Sequence, residues 1–143
     1  MNKIFLDSDI VIDFLTGRAP FSETILKIIN ASTKTSIQLH VSSLTFSNVY
    51  YILSKLESKN RAKKKIEKLN RLVKVLNVGQ KVIDLAVQSK FKDFEDAIQN
   101  FCASESGIEI LITRNIKDYK ESKLSVLTPI EYLVHIEGKI SYK

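Results

Sequence analysis

The stretch Lys3-Ile4-Phe5-Leu6-Asp7-Ser8-Asp9-Ile10-Val11-Ile12 decides how this chain is read. A short apolar run of the kind that forms a buried strand stops at a carboxylate, and a second apolar run begins three residues later. In open α/β folds, ligands bind beyond the carboxyl ends of the strands, so a strand ending at Asp7 puts a charge at that edge. Acids recur at Asp93-Phe94-Glu95-Asp96 and at Asp118, each beside a predicted strand or helix end. Acids converging from distant segments are what a divalent cation requires. The pattern points to hydrolysis assisted by a metal ion.

Working outward, Lys3 to Leu6 reads as a first strand and Asp9 to Leu15 as a short helix ended by Thr16-Gly17. Pro20 opens a second helix with Ile25, Leu26, Ile28 and Ile29 as its buried stripe. Gln38 to Val41 alternates as a second strand. Ser42-Ser43 caps a third helix reaching about Ser58, with Leu44, Val49, Tyr51, Ile52 and Leu56 partly inward. A basic helix follows to about Leu72, with Ile66 and Leu69 on one side. Val73 to Leu76 is a third strand, and Gln80 to Ser89 another helix. Asp93 to Ser106 is a helix closed by Gly107, the residue that favours a left-handed C-cap. Glu109 to Ile112 and Ser125 to Leu127 complete the strands, and Thr128-Pro129-Ile130-Glu131 has the form of a helix start. Apolar strands separated by helices imply an α/β fold with a mainly parallel sheet of about five strands covered by helices on both faces.

The 143 residues fit one domain, residues 1–143, large enough for an ordinary core. No apolar run approaches the ~18 residues of a membrane span, and Asp7 and Asp9 cut short what would otherwise resemble a signal peptide. A cytoplasmic protein is therefore expected. Cys102 is the one cysteine and falls in a helical apolar pattern as a small core residue. His40 and His135 lack partners at ligand spacing and read as structural or solvent-exposed. Between Lys55 and Lys74, nine basic residues against Glu57 and Glu67 leave +7, and −1 for the rest of a chain whose total is +6. Such a stripe beside an acidic pocket suits a polyanionic substrate. The plainer alternative is a solvated helix face, and no aromatic residue interrupts the stripe to suggest base stacking.

Each acid also has a plain structural role. An Asp before a helix is a favoured N-cap, and of Asp7 and Asp9 the second is the expected cap. Asp13, one turn on, faces solvent or supports the site from behind. Asp93 and Asp96 share a face of the first turn, where negative charge suits the helix dipole. Asp96 borders the stripe Ala97, Ile98 and Phe101 that packs on the sheet, so it is poised toward a cleft, with Glu95 outside. Thr113 and Asn115 could simply organise a turn.

Taken in order, Phe5-Leu6-Asp7-Ser8-Asp9, Ser42-Ser43-Leu44-Thr45-Phe46-Ser47-Asn48, Asp93-Phe94-Glu95-Asp96-Ala97 and Ile112-Thr113-Arg114-Asn115-Ile116-Lys117-Asp118-Tyr119 resemble the PIN-domain nucleases, with closer similarity to VapC-type toxins of toxin–antitoxin pairs. The resemblance runs through Leu127 to Leu133 and so covers the chain. It implies a three-layer α/β/α fold, Mg²⁺ or Mn²⁺ as cofactor, hydrolysis of RNA, a small antitoxin partner and a homodimer.

Carried onto this sequence, the resemblance makes Asp7, Asp96 and Asp118 the metal-binding acids. Asn48 and Asn115 stand where carboxylates are usual, removing up to two negative charges; as amides they would orient water or a phosphate oxygen. Ser8, Asp9 and Thr113 would support the acids. Arg61, Lys63, Lys64, Lys65, Lys68 and Arg71 would guide the RNA backbone without reading sequence. The rival of another class is a catalytically weakened PIN-like module that binds RNA or a partner protein, favoured by the same two asparagines. A phosphoacceptor receiver domain also places Asp at strand ends, but needs an acceptor Asp after a middle strand, and Val73 to Leu76 runs into Asn77.

Overall fold

Ile4 and Leu6 of β1 (Lys3–Leu6) enter one hydrophobic cluster, while Phe5 between them enters a second. The first strand is thus buried on both faces, as an uninterrupted apolar run requires. The computed structural model describes residues 3–141, with side chains through residue 138. Met1 and Asn2, which begin the segment weighed against a signal peptide, lie outside the described residues.

After β1 come α1 (Ser8–Thr16), α2 (Phe21–Lys34), β2 (Gln38–Ser42), α3 (Ser43–Leu56) and α4 (Lys59–Leu72). Then follow β3 (Lys74–Leu76), α5 (Gln80–Gln88), α6 (Phe94–Glu105), β4 (Ile110–Ile112), a 3-10 turn (Ile116–Tyr119), β5 (Ser125–Leu127) and α7 (Pro129–Ser141). The sheet order is β3-β2-β1-β4-β5 and every pairing is parallel. One cluster gathers α1, α2, α3, α4 and α7 on one face of the sheet. The other gathers α5, α6 and Tyr119 of the 3-10 turn against Phe5 and Leu111 on the opposite face. The result is the expected three-layer α/β/α arrangement, with β1 at its centre. Among the described residues no helix is long and apolar enough to cross a membrane.

Local chemistry sets the ends of these elements. Gly17 closes α1 in the left-handed region (φ 65°), its N–H bonded to the carbonyls of Asp13 and Phe14. Gly107 follows α6 at φ 73°, as anticipated. Thr128 and Glu131 form the reciprocal capping pair, Thr128 N to Glu131 Oε1 at 2.9 Å and Glu131 N to Thr128 Oγ1 at 3.2 Å. Two expected inward residues of α3 prove exposed: Tyr51 at 63% and Leu56 at 65%. The buried stripe is instead Thr45, Val49 and Leu53, one residue per turn, and it leaves Tyr51 on another face and Leu56 at the end beside the turn into α4. His40 is buried and structural, its Nδ1 meeting the carbonyls of Gln38 (3.2 Å) and Ile4 (3.3 Å).

Because Phe5 is fully buried at the sheet's centre, Phe5→Ala should lower the unfolding free energy by about 3–5 kcal/mol in a urea titration. Leu56→Ala, at an exposed site, should change it by no more than about 0.5 kcal/mol. Comparable losses in the two variants would contradict this packing.

Candidate active site

Adjacency of β2, β1 and β4 brings their carboxyl ends together, and the chain leaves each of them through a polar residue. Asp7 prolongs the ladder, its N–H bonded to the Ile112 carbonyl at 3.0 Å, and Thr113 N–H does the same to Leu127 at 3.0 Å. This register aims the Thr113 hydroxyl at Asp7 Oδ2, 2.9 Å away, while Ser8 N–H donates to Asp7 Oδ1 at 2.7 Å. Asp7 is therefore the N-cap of α1. The expectation that Asp9 caps is corrected: helix α1 begins at Ser8, so Asp9 already lies in its first turn. Its Oδ2 accepts from Arg114 N–H at 3.4 Å and lies 3.5 Å from Thr113 Oγ1, and its Oδ1 is buried without a hydrogen-bond partner. Asp13 does not face solvent; it is fully buried behind the site, with Arg114 Nε 2.7 Å from its Oδ2. The Arg114 guanidinium also lies 4.5 Å from the Phe21 ring centroid.

Asp96 comes from the first turn of α6, on the opposite face of the sheet. Asp93 caps that helix by accepting from Asp96 N–H at 2.9 Å, which leaves the Asp96 carboxylate free of capping duty. The hydroxyl of buried Tyr119 donates to Asp96 Oδ1 at 3.5 Å. Asp118, exposed on the 3-10 turn, lines a cleft of about 510 Å³ together with Asp96 and Asp93. Asn115 is exposed, and its backbone N–H bonds to Thr113 Oγ1 at 3.2 Å. Asn48 is half-buried on α3, one turn beyond Thr45 on the same face. Neither asparagine side chain hydrogen-bonds to the acids among the described residues.

Beneath these acids lies a tie that sequence reasoning missed. Gln99, fully buried on α6, donates from Nε2 to Ser8 Oγ at 2.9 Å and to Thr45 Oγ1 at 2.8 Å. Ser8 and Thr45 are 3.0 Å apart, and Ser42 Oγ is 3.3 Å from Thr45 Oγ1. Three helix starts carrying Asp7, Asp96 and Asn48 are thus joined through one amide. The available signal was Gln99 itself, a polar residue one turn after Asp96 inside an apolar stripe.

The electrostatics are those of crowded charge that is only partly compensated. Burial pushes Asp7 up to about 7; the charge of Asp9 and, less, that of Asp96 add to it, against the hydrogen bonds from Thr113 and Ser8. Asp96 is also pushed up to about 7, by burial and then by Asp93, Asp118 and Glu95. Burial raises Asp9 as well, opposed chiefly by Arg114. Tyr119 is held protonated by its burial and by the surrounding acids, so it acts as a donor. Hard oxygen ligands, mutual repulsion and an orphaned Asp9 oxygen are the chemistry a divalent cation satisfies. Among the described residues, no three His, Cys, Asp or Glu side chains already surround one point at metal-binding geometry.

Residues 3–117 match the model of the PIN domain family. The chain belongs to the PIN domain family. A relative, ribonuclease VapC1 of Aquifex aeolicus (strain VF5), is 25% identical over 135 residues, 91% of this chain and 92% of that one. Among solved structures, a toxin–antitoxin complex from Klebsiella pneumoniae is 25% identical with a TM-score of 0.66, over 88% of this chain and 97% of that one. VapBC2 from Rickettsia felis, bound to a DNA fragment from its promoter, has a TM-score of 0.70 at 15% identity, over 87% and 96%. Mycobacterium tuberculosis VapC20, described as a sarcin–ricin loop cleaving toxin, has a TM-score of 0.68 at 15% identity, over 86% and 98%.

Of the expected basic residues of this PIN domain, Arg61 stands apart from the acids. From Ser43 beside the site, α3 runs 14 residues, about 20 Å, before α4 turns back, so Arg61 lies at the far end of the hairpin. Arg61, Lys63, Lys64, Lys68 and Arg71 are exposed. Lys65 pairs with Glu57 at 2.6 Å, and the Lys68 ammonium sits 5.0 Å from the Phe14 ring centroid.

In EDTA, stability should depend on pH through Asp7. Its folded pKa of about 7 lies above the ordinary 3.8, so the folded state binds more protons between these values, and stability is lost as pH rises toward 7. His40, lowered from 6.5 chiefly by burial, acts in the opposite direction below that pH. Asp7→Asn removes the first effect and leaves that of His40 in place. Its melting temperature relative to the parent should therefore improve from pH 5 to pH 7.5. A constant difference across that range would show that Asp7 is not raised.

Proposed function

We propose that this protein is a Mg²⁺- or Mn²⁺-dependent endoribonuclease of the cytoplasm and the toxin of a toxin–antitoxin pair. The observation that carries the reading is the convergence of Asp7, Asp9 and Asp96 at the carboxyl edge of a PIN-domain sheet, with Asp118 on the adjoining cleft. Asp7, Asp96 and Asp118 are assigned to the cation. When bound, that cation supplies Lewis acidity toward water and a phosphate oxygen and neutralises charge developing on phosphorus.

The chain's own residues divide the remaining work. Asp7, capped into α1 and held by Thr113 and Ser8 N–H, is a fixed ligand. Asp96, tethered by one 3.5 Å hydrogen bond and half-exposed, can reorient toward substrate. Asn48 and Asn115 are assigned to water or a phosphate oxygen. Ser8, Asp9 and Thr113 hold the acids in register. Arg61, Lys63, Lys64, Lys65, Lys68 and Arg71 attract the RNA backbone from outside the site.

Pairing with a small antitoxin is supported by the toxin–antitoxin complexes among structures of the same fold. Self-association is supported by exposed Tyr51 and Leu56 on α3 and by exposed Ile130 and Val134 on α7. A binding-only module is the second reading, favoured by Asn48 and Asn115 standing where carboxylates are usual.

RNA should be cleaved only with Mg²⁺ or Mn²⁺ present, and EDTA should stop it. Asp96→Asn should abolish cleavage while leaving the melting temperature at or above that of the parent, because Asp93 provides the cap. Retained cleavage would remove Asp96 from the site. Asn48→Glu should tighten Mn²⁺ binding severalfold in calorimetry. The Coulomb gain of roughly 4 kcal/mol at 4 Å is mostly offset by desolvation, leaving about 1 kcal/mol. Unchanged binding would place Asn48 outside the cation's reach.

A further inference from the structure

We propose that the cleft beside the acids seats the nucleotide next to the scissile phosphate of a single-stranded RNA. In this seat Phe91 lies under the base, and Lys90, Lys92, Lys117 and Lys120 lie on the flanking phosphates. The proposal rests on the ribonuclease reading for its position next to a reacting phosphate.

The cleft has two walls. One is the segment before α6 that carries Lys90, Phe91 and Lys92; the other is the 3-10 turn and its exit, with Lys117 and Lys120. Aromatic rings join them, the Phe91 and Tyr119 centroids lying 6.0 Å apart at 76°. A second edge contact, Phe91 to Phe101 at 6.0 Å and 70°, fixes the plane of the Phe91 ring. Phe91 is only half-buried and still lines the cavity. Since the Tyr119 hydroxyl reaches Asp96, the floor of the cleft continues into the acid cluster.

Phe91 and the adjacency to Asp96 separate this cleft from the basic helix α4. Lys90, Lys92, Lys117 and Lys120 are exposed, and among the described residues none has a carboxylate within ion-pair distance, although Asp93, Asp118 and Glu121 line the same cavity. On α4, Lys65 is paired and Lys68 is laid over a ring, while Arg61, Lys63, Lys64 and Arg71 are exposed as the cleft lysines are. The arrangement Lys-Phe-Lys also has the aromatic interleaving that α4 lacks. A ring that accepts a base needs that base unstacked, so the strand must be single. Stacking of this kind tolerates any base, while lysines bind phosphate. A cavity of about 510 Å³ lies within the usual size of a small-ligand pocket.

The test uses the full chain in Mg²⁺ with an unstructured, fluorescein-labelled 12-nucleotide RNA. Anisotropy is read in an Asp96→Asn background, and cleavage kinetics in the parent. Lys92→Gln with Lys117→Gln should weaken binding about tenfold and lower the log–log salt slope by about 1.4, near 0.7 for each phosphate no longer neutralised. The same pair in the parent should raise KM with kcat within about twofold. Phe91→Leu should weaken binding severalfold without changing the slope. A control pair on α4, Lys63→Gln with Lys64→Gln, should cost less affinity.

Unchanged affinity and slope in the cleft pair overturn the proposal, as does a loss confined to the α4 pair or an absence of RNA binding altogether. Should the parent fail to cleave while binding still depends on the cleft lysines, the nuclease reading falls and the seat remains. Cleavage with cleft-independent binding has the reverse meaning.

Discussion

The amide of Gln99 is the constraint on which the site depends. It lies between Ser8 and Thr45, hydroxyls from α1 and α3, and each of those helices begins where a strand ends. Helices α1 and α3 pack on one face of the sheet and α6 on the other. A bond from Gln99 to both therefore crosses the edge of the sheet and fixes the two layers relative to each other. The same amide's oxygen is buried and accepts no hydrogen bond from another described residue. Apolar packing at this point would not set the direction of the acids above.

Held in that frame, the acids oppose the fold that holds them. Asp7, Asp9 and Asp96 are all raised by burial, and each is raised further by acidic neighbours. Thr113, the capping N–H groups and Arg114 offset part of this. Arg114 is itself fixed by buried Asp13 and by Phe21, so its backbone N–H is held toward Asp9. The chain thus keeps strained charge in place with ordinary capping and turn chemistry.

Most of the architecture was legible because its signals are local. Apolar runs marked four strands and alternation at Gln38 to Val41 the fifth, and Gly107 and the Thr128–Glu131 pair marked helix ends that the structure bears out. Which acid caps α1 was not legible, since two Asp residues flank one serine and only the sheet register decides between them. Asp13 was read as solvent-facing or supporting because its partner, Arg114, lies a hundred residues away. Periodicity alone shows neither that Tyr51 lies off the stripe of Thr45, Val49 and Leu53 nor that Leu56 lies where α3 extends past the body that buries it. Gln99 was passed over for a similar reason: three layers had to meet before its neighbours existed.

Helix α4 carries one more consequence. Its first turn contains no acid, and Lys59 and Arg61 stand there against the helix dipole. Arg61 and Lys65, like Lys64 and Lys68, repeat like charges four residues apart. What holds it is the Ser58 cap, the Lys65–Glu57 pair and the burial of Ala62 and Leu69. Left to itself the segment would resist its own helix. Ionic strength is therefore a structural variable for this hairpin: dissolved anions, by screening α4, act as a diffuse ligand that firms it.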